Sequence, residues 1–253
     1  MLSVAIICRD SAATIARTLD SVAPIATEVV ALDSGSIDDT IAILESHHAR
    51  VIRTEWKGFV ATKQLALDSC TQPWILSLDS DESLEPDLAA SIKRALETND
   101  PAIDAYRVNR KVFYAGRFLE HAWQPEHRIR LVRAGSARWG GLDPHDKLEP
   151  TDTAKPVPLL PGTLRHDSIT TFADFLAKQA RHAATMARSM QREGARPSYL
   201  RLVTSPPGAF LKQLILKGAW RDGWRGWLAA ASTGVATAMK HITLIEITRN
   251  PPK

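Results

Sequence analysis

Hydrophobic and polar positions alternate in blocks through residue 104. Leu2 to Cys8 is an apolar run of strand length, and Ala12 to Val22 then places Ile15, Leu19 and Val22 at helical spacing. Glu28 to Asp33 reads as a second strand. It is followed by Ser34-Gly35-Ser36-Ile37-Asp38-Asp39-Thr40, where Ser36 and Asp39 form a capping-box pattern for a helix through Ile41 and Leu44. Val51 to Arg53 is a brief third strand, Val60 to Ser69 a helix, and Trp74 to Asp79 a fourth strand. A helix follows through Leu84, Leu88, Ile92 and Leu96, with Asp81 or Ser83 as its expected cap. Four strand-helix alternations predict an α/β fold with a mixed, mainly parallel sheet flanked by helices and joined by right-handed crossovers.

From Ala105 the pattern shortens. Tyr106–Phe113, Arg128–Val132, Ala137–Trp139 and Val157–Leu164 are β-like runs separated by Gly, Pro and His, and they predict an extension of the sheet. Ile169 to Arg192 is helical, with Phe172, Leu176, Ala180, Ala183 and Met190 on one face. Beyond Ser205-Pro206-Pro207, apolar residues including Phe210, Trp220, Trp224 and Trp227 interleave with Lys212, Lys217, Arg221 and Arg225. The expected division is a catalytic-type domain over 1–200, with halves 1–104 and 105–200, and a helical tail over 201–253.

Composition narrows the class. An apolar fraction of 44% and a charged fraction of 24% are ordinary for a globular chain, which excludes disordered and low-complexity classes. Two cysteines, Cys8 and Cys70, exclude a disulfide framework and a cysteine zinc site. Met1-Leu2-Ser3-Val4 lacks the basic segment of a signal peptide, so a cytoplasmic location is expected. The net charge is +4, but the tail alone carries eight Lys or Arg against Asp222 and Glu246. With its aromatic residues, this basic stretch predicts a peripheral contact with an anionic membrane surface, on the inner face of the cytoplasmic membrane. The alternative is that the same face packs on the protein itself. The longest uncharged run there, Gly226 to Met239, is 14 residues, short of the roughly 20 needed to cross a bilayer. No zinc-finger, helix-turn-helix or RNA-binding signature is present, so nucleic acid is not an expected partner.

The chemistry concentrates at Leu78-Asp79-Ser80-Asp81-Glu82. In extended geometry Asp79 and Asp81 point the same way, and two such carboxylates repel unless a cation lies between them. A hard divalent ion, Mg2+ or Mn2+, is commonly held by one or two carboxylates plus substrate phosphates. In open parallel sheets ligands bind beyond the carboxyl ends of the strands, where Asp33, Asp79 and the loop Arg9-Asp10-Ser11 stand. The first strand leads into Cys8-Arg9-Asp10-Ser11-Ala12-Ala13, without Gly-x-Gly-x-x-Gly, and no Walker loop exists. A bound nucleotide diphosphate therefore needs another countercharge, and a metal at Asp79 and Asp81 supplies it.

In combination these residues resemble glycosyltransferase family 2, inverting enzymes with the Rossmann-like GT-A fold. Thr14-Ile15 and Leu19-Asp20-Ser21 after the opening strand resemble the family's start. Val29-Val30-Ala31-Leu32-Asp33-Ser34-Gly35-Ser36-Ile37-Asp38 resembles its Asp-x-Gly-Ser-x-Asp segment, and Asp79-Ser80-Asp81 its Asp-x-Asp motif. More narrowly, Trp56-Lys57-Gly58-Phe59, Arg128-Ile129-Arg130-Leu131-Val132-Arg133, His145-Asp146-Lys147, His166, Lys178 and Lys217-Gly218-Ala219-Trp220-Arg221-Asp222-Gly223 resemble the lipopolysaccharide core β-1,4-glucosyltransferases.

The resemblance implies a UDP-sugar donor, a glycolipid acceptor such as a lipopolysaccharide core intermediate, and transfer of a hexose, glucose in the narrower group. It implies that Asp33 accepts from the uracil, that Asp79 contacts the ribose or the metal shell, and that Asp81 coordinates the metal on the diphosphate. As imidazole is an acceptable ligand, His166 would complete that shell or bind a phosphate. Asp10, Lys63, Ser80 and Arg130 would line the nucleotide-sugar site, and Glu82 would orient the metal ligands. Asp146 would be the general base. The motif here reads Pro144-His145-Asp146, with Asp where the narrower group has Glu, and Asp143 and Glu149 are rivals. Lys178 and Arg128 would face a diphosphate or an anionic acceptor, while Gln64 carries no transferred role. Two other functions suit the same donor end: transfer to a polyprenyl phosphate or polysaccharide, and a non-catalytic nucleotide-sugar or membrane-binding module.

Overall fold

The computed structural model describes residues 1–142 and 145–250. The chain runs β1 (Leu2–Cys8), α1 (Ile15–Val22), β2 (Glu28–Asp33), α2 (Thr40–Ser46), β3 (Arg50–Arg53), α3 (Phe59–Asp68), β4 (Trp74–Asp79), β5 (Glu82–Leu84) and α4 (Pro86–Thr98). It continues with β6 (Ala105–Tyr114), β7 (Arg117–Phe118), β8 (His127–Arg133), β9 (Ala137–Leu142), β10 (His145–Pro150), β11 (Leu159–His166), α5 (Phe172–Arg192), α6 (Tyr199–Leu211) and α7 (Trp224–Arg249). A π-helical turn, Lys212–Leu216, and a 3-10 turn, Ala219–Asp222, join the last two helices.

These elements form two compact units. The first comprises Met1–Arg110, Glu126–Gly141 and His145–Asp167, and the second comprises Lys111–Pro125, Leu142–Pro144 and Ser168–Lys253. The division expected at residue 200 falls inside the second unit, between α5 and α6. Charge suggests that boundary, whereas α7 packs on both α5 and α6.

In the main sheet the order is β3-β2-β1-β4-β8-β6-β11-β5. The pairs β3-β2, β2-β1 and β1-β4 are parallel, and β4-β8, β8-β6 and β11-β5 are antiparallel. β1 is buried along its whole length because both of its faces are covered. Leu2, Val4, Ile6 and Cys8 point to one side, against Ile15, Leu19 and Val22 of α1 and Leu88 and Ile92 of α4. Ala5 and Ile7 point to the other, among Ala66 and Leu67 of α3 with Trp139 and Leu148 of the β9-β10 pair. The two-residue period of a strand thus divides the core into two layers. Gly162 in β11 has φ +113, and a Cβ built there would lie 2.4 Å from the Leu88 backbone nitrogen, so only glycine lets this strand pass α4.

Two expected caps are corrected. Ser36 does not cap α2; its hydroxyl turns back to Asp33, and Asp38 Oδ1 accepts from the Thr40 N–H instead. Asp81 and Ser83 do not cap α4 either. Ser83 lies in β5, and α4 begins at Pro86, whose missing N–H costs nothing in the first turn.

The second unit has its own apolar centre, with Val112, Leu119 and Ala122 packed against Ala219 and Ala229. Asp222 ties the segment down by accepting from the backbone N–H groups of Glu120, His121 and Ala122 at 2.8–3.1 Å. α6 runs on through Pro206-Pro207, and the π-helical turn follows directly. Among the described residues no helix is long and apolar enough to cross a membrane.

Candidate active site

Parallel pairing carries the carboxylates to one end of the sheet. Cys8 at the end of β1 is in register with Asp33 of β2, and Ile7 is in register with Asp79 of β4. The loops beyond are linked to one another. Ser11 Oγ lies 2.8 Å from Ser80 Oγ, the Thr18 hydroxyl donates to the Ser80 carbonyl, and Asp10 Oδ1 accepts from the Ile37 N–H at 2.9 Å. Asp33 is 1% exposed, and its oxygens accept from the Gly35 and Ser36 N–H groups and the Ser36 hydroxyl. In this arrangement its acceptor sites shape the loop.

Lys63 is the residue on which the site converges. Gly58, at φ 91, starts α3 from a conformation that L side chains rarely adopt, and α3 buries Thr62, Lys63, Ala66 and Leu67 against the sheet. The Lys63 ammonium lies 2.7 Å from Asp79 Oδ1 and 2.8 Å from Asp146 Oδ2, and 4.6 Å from the Trp139 ring centroid. A strand-end acid of β4 and the acid of β10 are therefore bridged by one buried cation, which reaches Asp146 from 83 residues away in sequence.

Behind this bridge charges of opposite sign continue in series. Arg130 of β8 contacts Asp79 Oδ2 at 3.3 Å and the wholly buried Glu82 at 2.7 Å. Arg110 of β6 meets the same Glu82 oxygen at 2.9 Å and makes two bonds to Glu126, which also accepts from Arg128. Glu82 Oε2 accepts from the Asp79 N–H, which ties the series to the strand end. Burial by itself would raise the Asp79 carboxyl, but the charges of Lys63, Arg130 and Arg110 outweigh it and hold Asp79 well below the ordinary carboxylate range. Glu126 is held at about 2 in the same way: burial opposes ionisation, and Arg110 and Arg128 overcome it. Desolvation would lower Arg110 and Arg130, yet Glu82 and its neighbouring carboxylates raise both.

Asp79 and Asp81 do not face a common cation as expected. The strand ends at Asp79, the chain turns, and Asp81 meets His166, whose Nε2 lies 3.4 Å from Asp81 Oδ2. Antiparallel pairing of β11 with β5 brings this about, since Glu82 is opposite His166 and the Asp167 N–H donates to the Asp81 carbonyl. The buried His166 Nδ1 has no hydrogen-bond partner among the described residues. Among the described residues no three His, Cys, Asp or Glu side chains gather as a metal cluster. The donors that suit a hard divalent ion are thus one carboxylate and one imidazole, which leaves most of a six-ligand shell to substrate oxygens and water. Asp79 is paired instead with Lys63 and Arg130.

Other expected residues scatter. Arg128 pairs with Glu126, Glu149 is exposed on β10, Lys178 belongs to α5 of the second unit, and Asp143 lies outside the described residues. Gln64, to which no role was transferred, accepts from the Trp139 N–H at 2.8 Å and joins α3 to β9. Sequence reasoning missed Arg110, Glu126 and Trp139. The signal for the first two was charge alternation on facing strands, as Asn109 of β6 is opposite His127 of β8 and their neighbours pair.

The family model for glycosyl transferase family 2 matches residues 3–144. A lipopolysaccharide core biosynthesis glycosyltransferase, LpsC of Rhizobium meliloti, is 28% identical over 245 residues, covering 92% of this chain and 88% of that protein. An uncharacterized glycosyltransferase of Rickettsia typhi is 27% identical, covering 97% of this chain and 87% of its own length. Among solved structures, glucosyl-3-phosphoglycerate synthase from Mycobacterium tuberculosis, crystallised with Mn2+, UDP and glucosyl-3-phosphoglycerate, matches with a TM-score of 0.50 at 18% identity, covering 78% of this chain and 81% of that one. At that identity the likeness concerns the fold, and the sheet and helices described above are the GT-A arrangement that the sequence predicted. With more than half of its length matched by the family model, the chain belongs to glycosyltransferase family 2.

Proposed function

We propose that this glycosyltransferase moves a hexose from a UDP-sugar to a glycolipid acceptor, with inversion at the anomeric carbon and with a divalent metal on the donor diphosphate. The observation that carries this reading is the Lys63 bridge from Asp79, at the donor end of the sheet, to Asp146. In the reaction the acceptor hydroxyl oxygen attacks the anomeric carbon, the bond from that carbon to the diphosphate oxygen breaks, and Asp146 takes the hydroxyl proton. Lys63 holds the Asp146 carboxylate in place at 2.8 Å and shields it from the charge of Asp79. Arg130, fixed by Glu82, completes the countercharge on Asp79. Asp81 and His166 are the residues that would hold Mg2+ or Mn2+, which supplies positive charge to the departing UDP. Asp10, Ser80 and the loop fixed by Asp33 would frame the nucleoside.

The acceptor class rests on the likeness to the Rhizobium meliloti enzyme over most of both chains. The exposed, basic and aromatic surface of the second unit supports a position at an anionic membrane surface, where a lipopolysaccharide core intermediate would be met. Asp146→Asn should abolish sugar transfer while UDP affinity stays near that of the wild type. Equal loss of both would make Asp146 a structural residue. Asp81→Ala and His166→Ala should each remove the extra thermal stabilisation that Mn2+ gives to the UDP complex. If that increment persists in both variants, the metal assignment is wrong.

A further inference from the structure

The second unit contains a cavity of about 610 Å3 that has no part in the chemistry above. Its walls come from Phe113 of β6, from the β7 turn (Gly116, Arg117, Phe118), from the loop after it (Glu120, His121), from the end of the 3-10 turn (Arg221, Asp222) with Gly223, and from Arg225 of α7. Both wall carboxylates are already engaged. Asp222 accepts three backbone N–H bonds, and Glu120 is paired with Lys111 at 2.6 Å. Arg225 lies on the Trp224 ring at 4.6 Å and donates to the Tyr114 carbonyl. The side chains of Arg117 and Arg221 are exposed and make no hydrogen bond or ion pair among the described residues, and the Arg221 guanidinium, like that of Arg225, lies over an indole ring, that of Trp220 at 5.4 Å. The cavity therefore carries an excess of guanidinium donors with no internal acceptor, a setting suited to a phosphate group.

The segment that supplies two of these arginines is unusual in its exposure. Leu211, Ile215, Leu216, Trp220, Trp224 and Trp227 are each between 49% and 80% exposed, and all fall within one stretch of the chain that also supplies Arg221 and Arg225. Indole side chains beside cationic ones are what a bilayer's headgroup layer favours, with rings at the level of the headgroups and basic groups toward phosphate. A water-soluble phosphate has no use for the apolar side chains, whereas an amphiphile engages both parts.

From this we infer that the cavity is a binding site for the phosphate of a membrane lipid headgroup, with Arg117 and Arg221 as the phosphate ligands and Trp220 and Trp224 at the level of the headgroups. The site rests on the proposed membrane-surface position and adds a recognition element to it, separate from the donor site.

The test uses the full chain and sedimentation with phosphatidylcholine vesicles, with and without phosphatidic acid. Arg117→Gln/Arg221→Gln should weaken binding to the phosphatidic acid vesicles about tenfold or more. Lys212→Gln/Arg196→Gln, which removes two exposed charges outside the cavity, should weaken it no more than about threefold. Circular dichroism confirms that both variants are folded, and both should keep wild-type UDP binding. Equal losses in the two variants would overturn the site while leaving general membrane attraction intact. If the wild type fails to sediment with phosphatidic acid vesicles, the membrane-surface position itself fails. Binding of inorganic phosphate that depends on Arg117 and Arg221 without any vesicle binding would reassign the cavity to a soluble phosphate and overturn the lipid inference.

Discussion

Replacing Lys63 by Met keeps the volume of the side chain and removes the charge that Asp79 and Asp146 share. Asp79 retains Arg130 at 3.3 Å, but Asp146 is left buried without its cation. Removing one partner of a buried ion pair costs about 3–5 kcal/mol, and loss of the ammonium over Trp139 adds on the order of 1 kcal/mol. A net destabilisation of about 5 kcal/mol corresponds to a fall in Tm of roughly 10–20 °C for a chain of this size. The assay is thermal unfolding at pH 7 of four proteins: wild type, Lys63→Met, Asp146→Asn and the double variant. Taking the charge from Asp146 as well should recover about half of the loss, because the double variant no longer buries an unmatched carboxylate. A single variant within about 1 kcal/mol of wild type, or a double variant whose loss is the sum of the two singles, would refute the bridge as an energetic unit.

Acid should attack the same series of charges from its far end. Glu126 ordinarily ionises near 4.5 and is held at about 2, so its contribution is fully present above pH 4.5 and disappears as pH falls toward 2. In urea unfolding, Glu126→Gln should therefore be less stable than wild type by on the order of 3 kcal/mol at pH 7, with the gap closing by pH 2. A gap independent of pH would show that the lost energy is packing. Gly162→Ala forces a methyl group into the Leu88 backbone at 2.4 Å and should cost about 3 kcal/mol or more, read as a lower urea midpoint at unchanged slope.

The parallel half of the sheet was legible because its strands are apolar runs and its helices keep a single buried stripe, and both signals are local. The strand-end position of Asp33 and Asp79 followed from that order alone. What was not legible is who partners whom. Lys63 and Asp146 are far apart in sequence, and no periodicity relates a residue of α3 to one of β10. The same holds for Asp81 and His166, which meet only because β11 pairs with β5. Extended geometry put Asp79 and Asp81 on one side, and the turn after Asp79 undid that inference. The boundary at residue 200 failed for a related reason, since a change of charge along a chain says little about which apolar side chains touch.

The second unit is assembled from segments separated by long stretches of chain, and synthesis must contend with that order. Val112, Leu119 and Ala122 leave the ribosome roughly a hundred residues before Ala219 and Ala229, which cover them in the folded protein. At about 5–20 residues per second this leaves an apolar segment uncovered for on the order of ten seconds, long enough for a chaperone to bind or for nascent chains to associate. Chains that stop short of Ala219 never close that surface, so truncated fragments of this protein should be aggregation-prone even where the donor end of the sheet is intact.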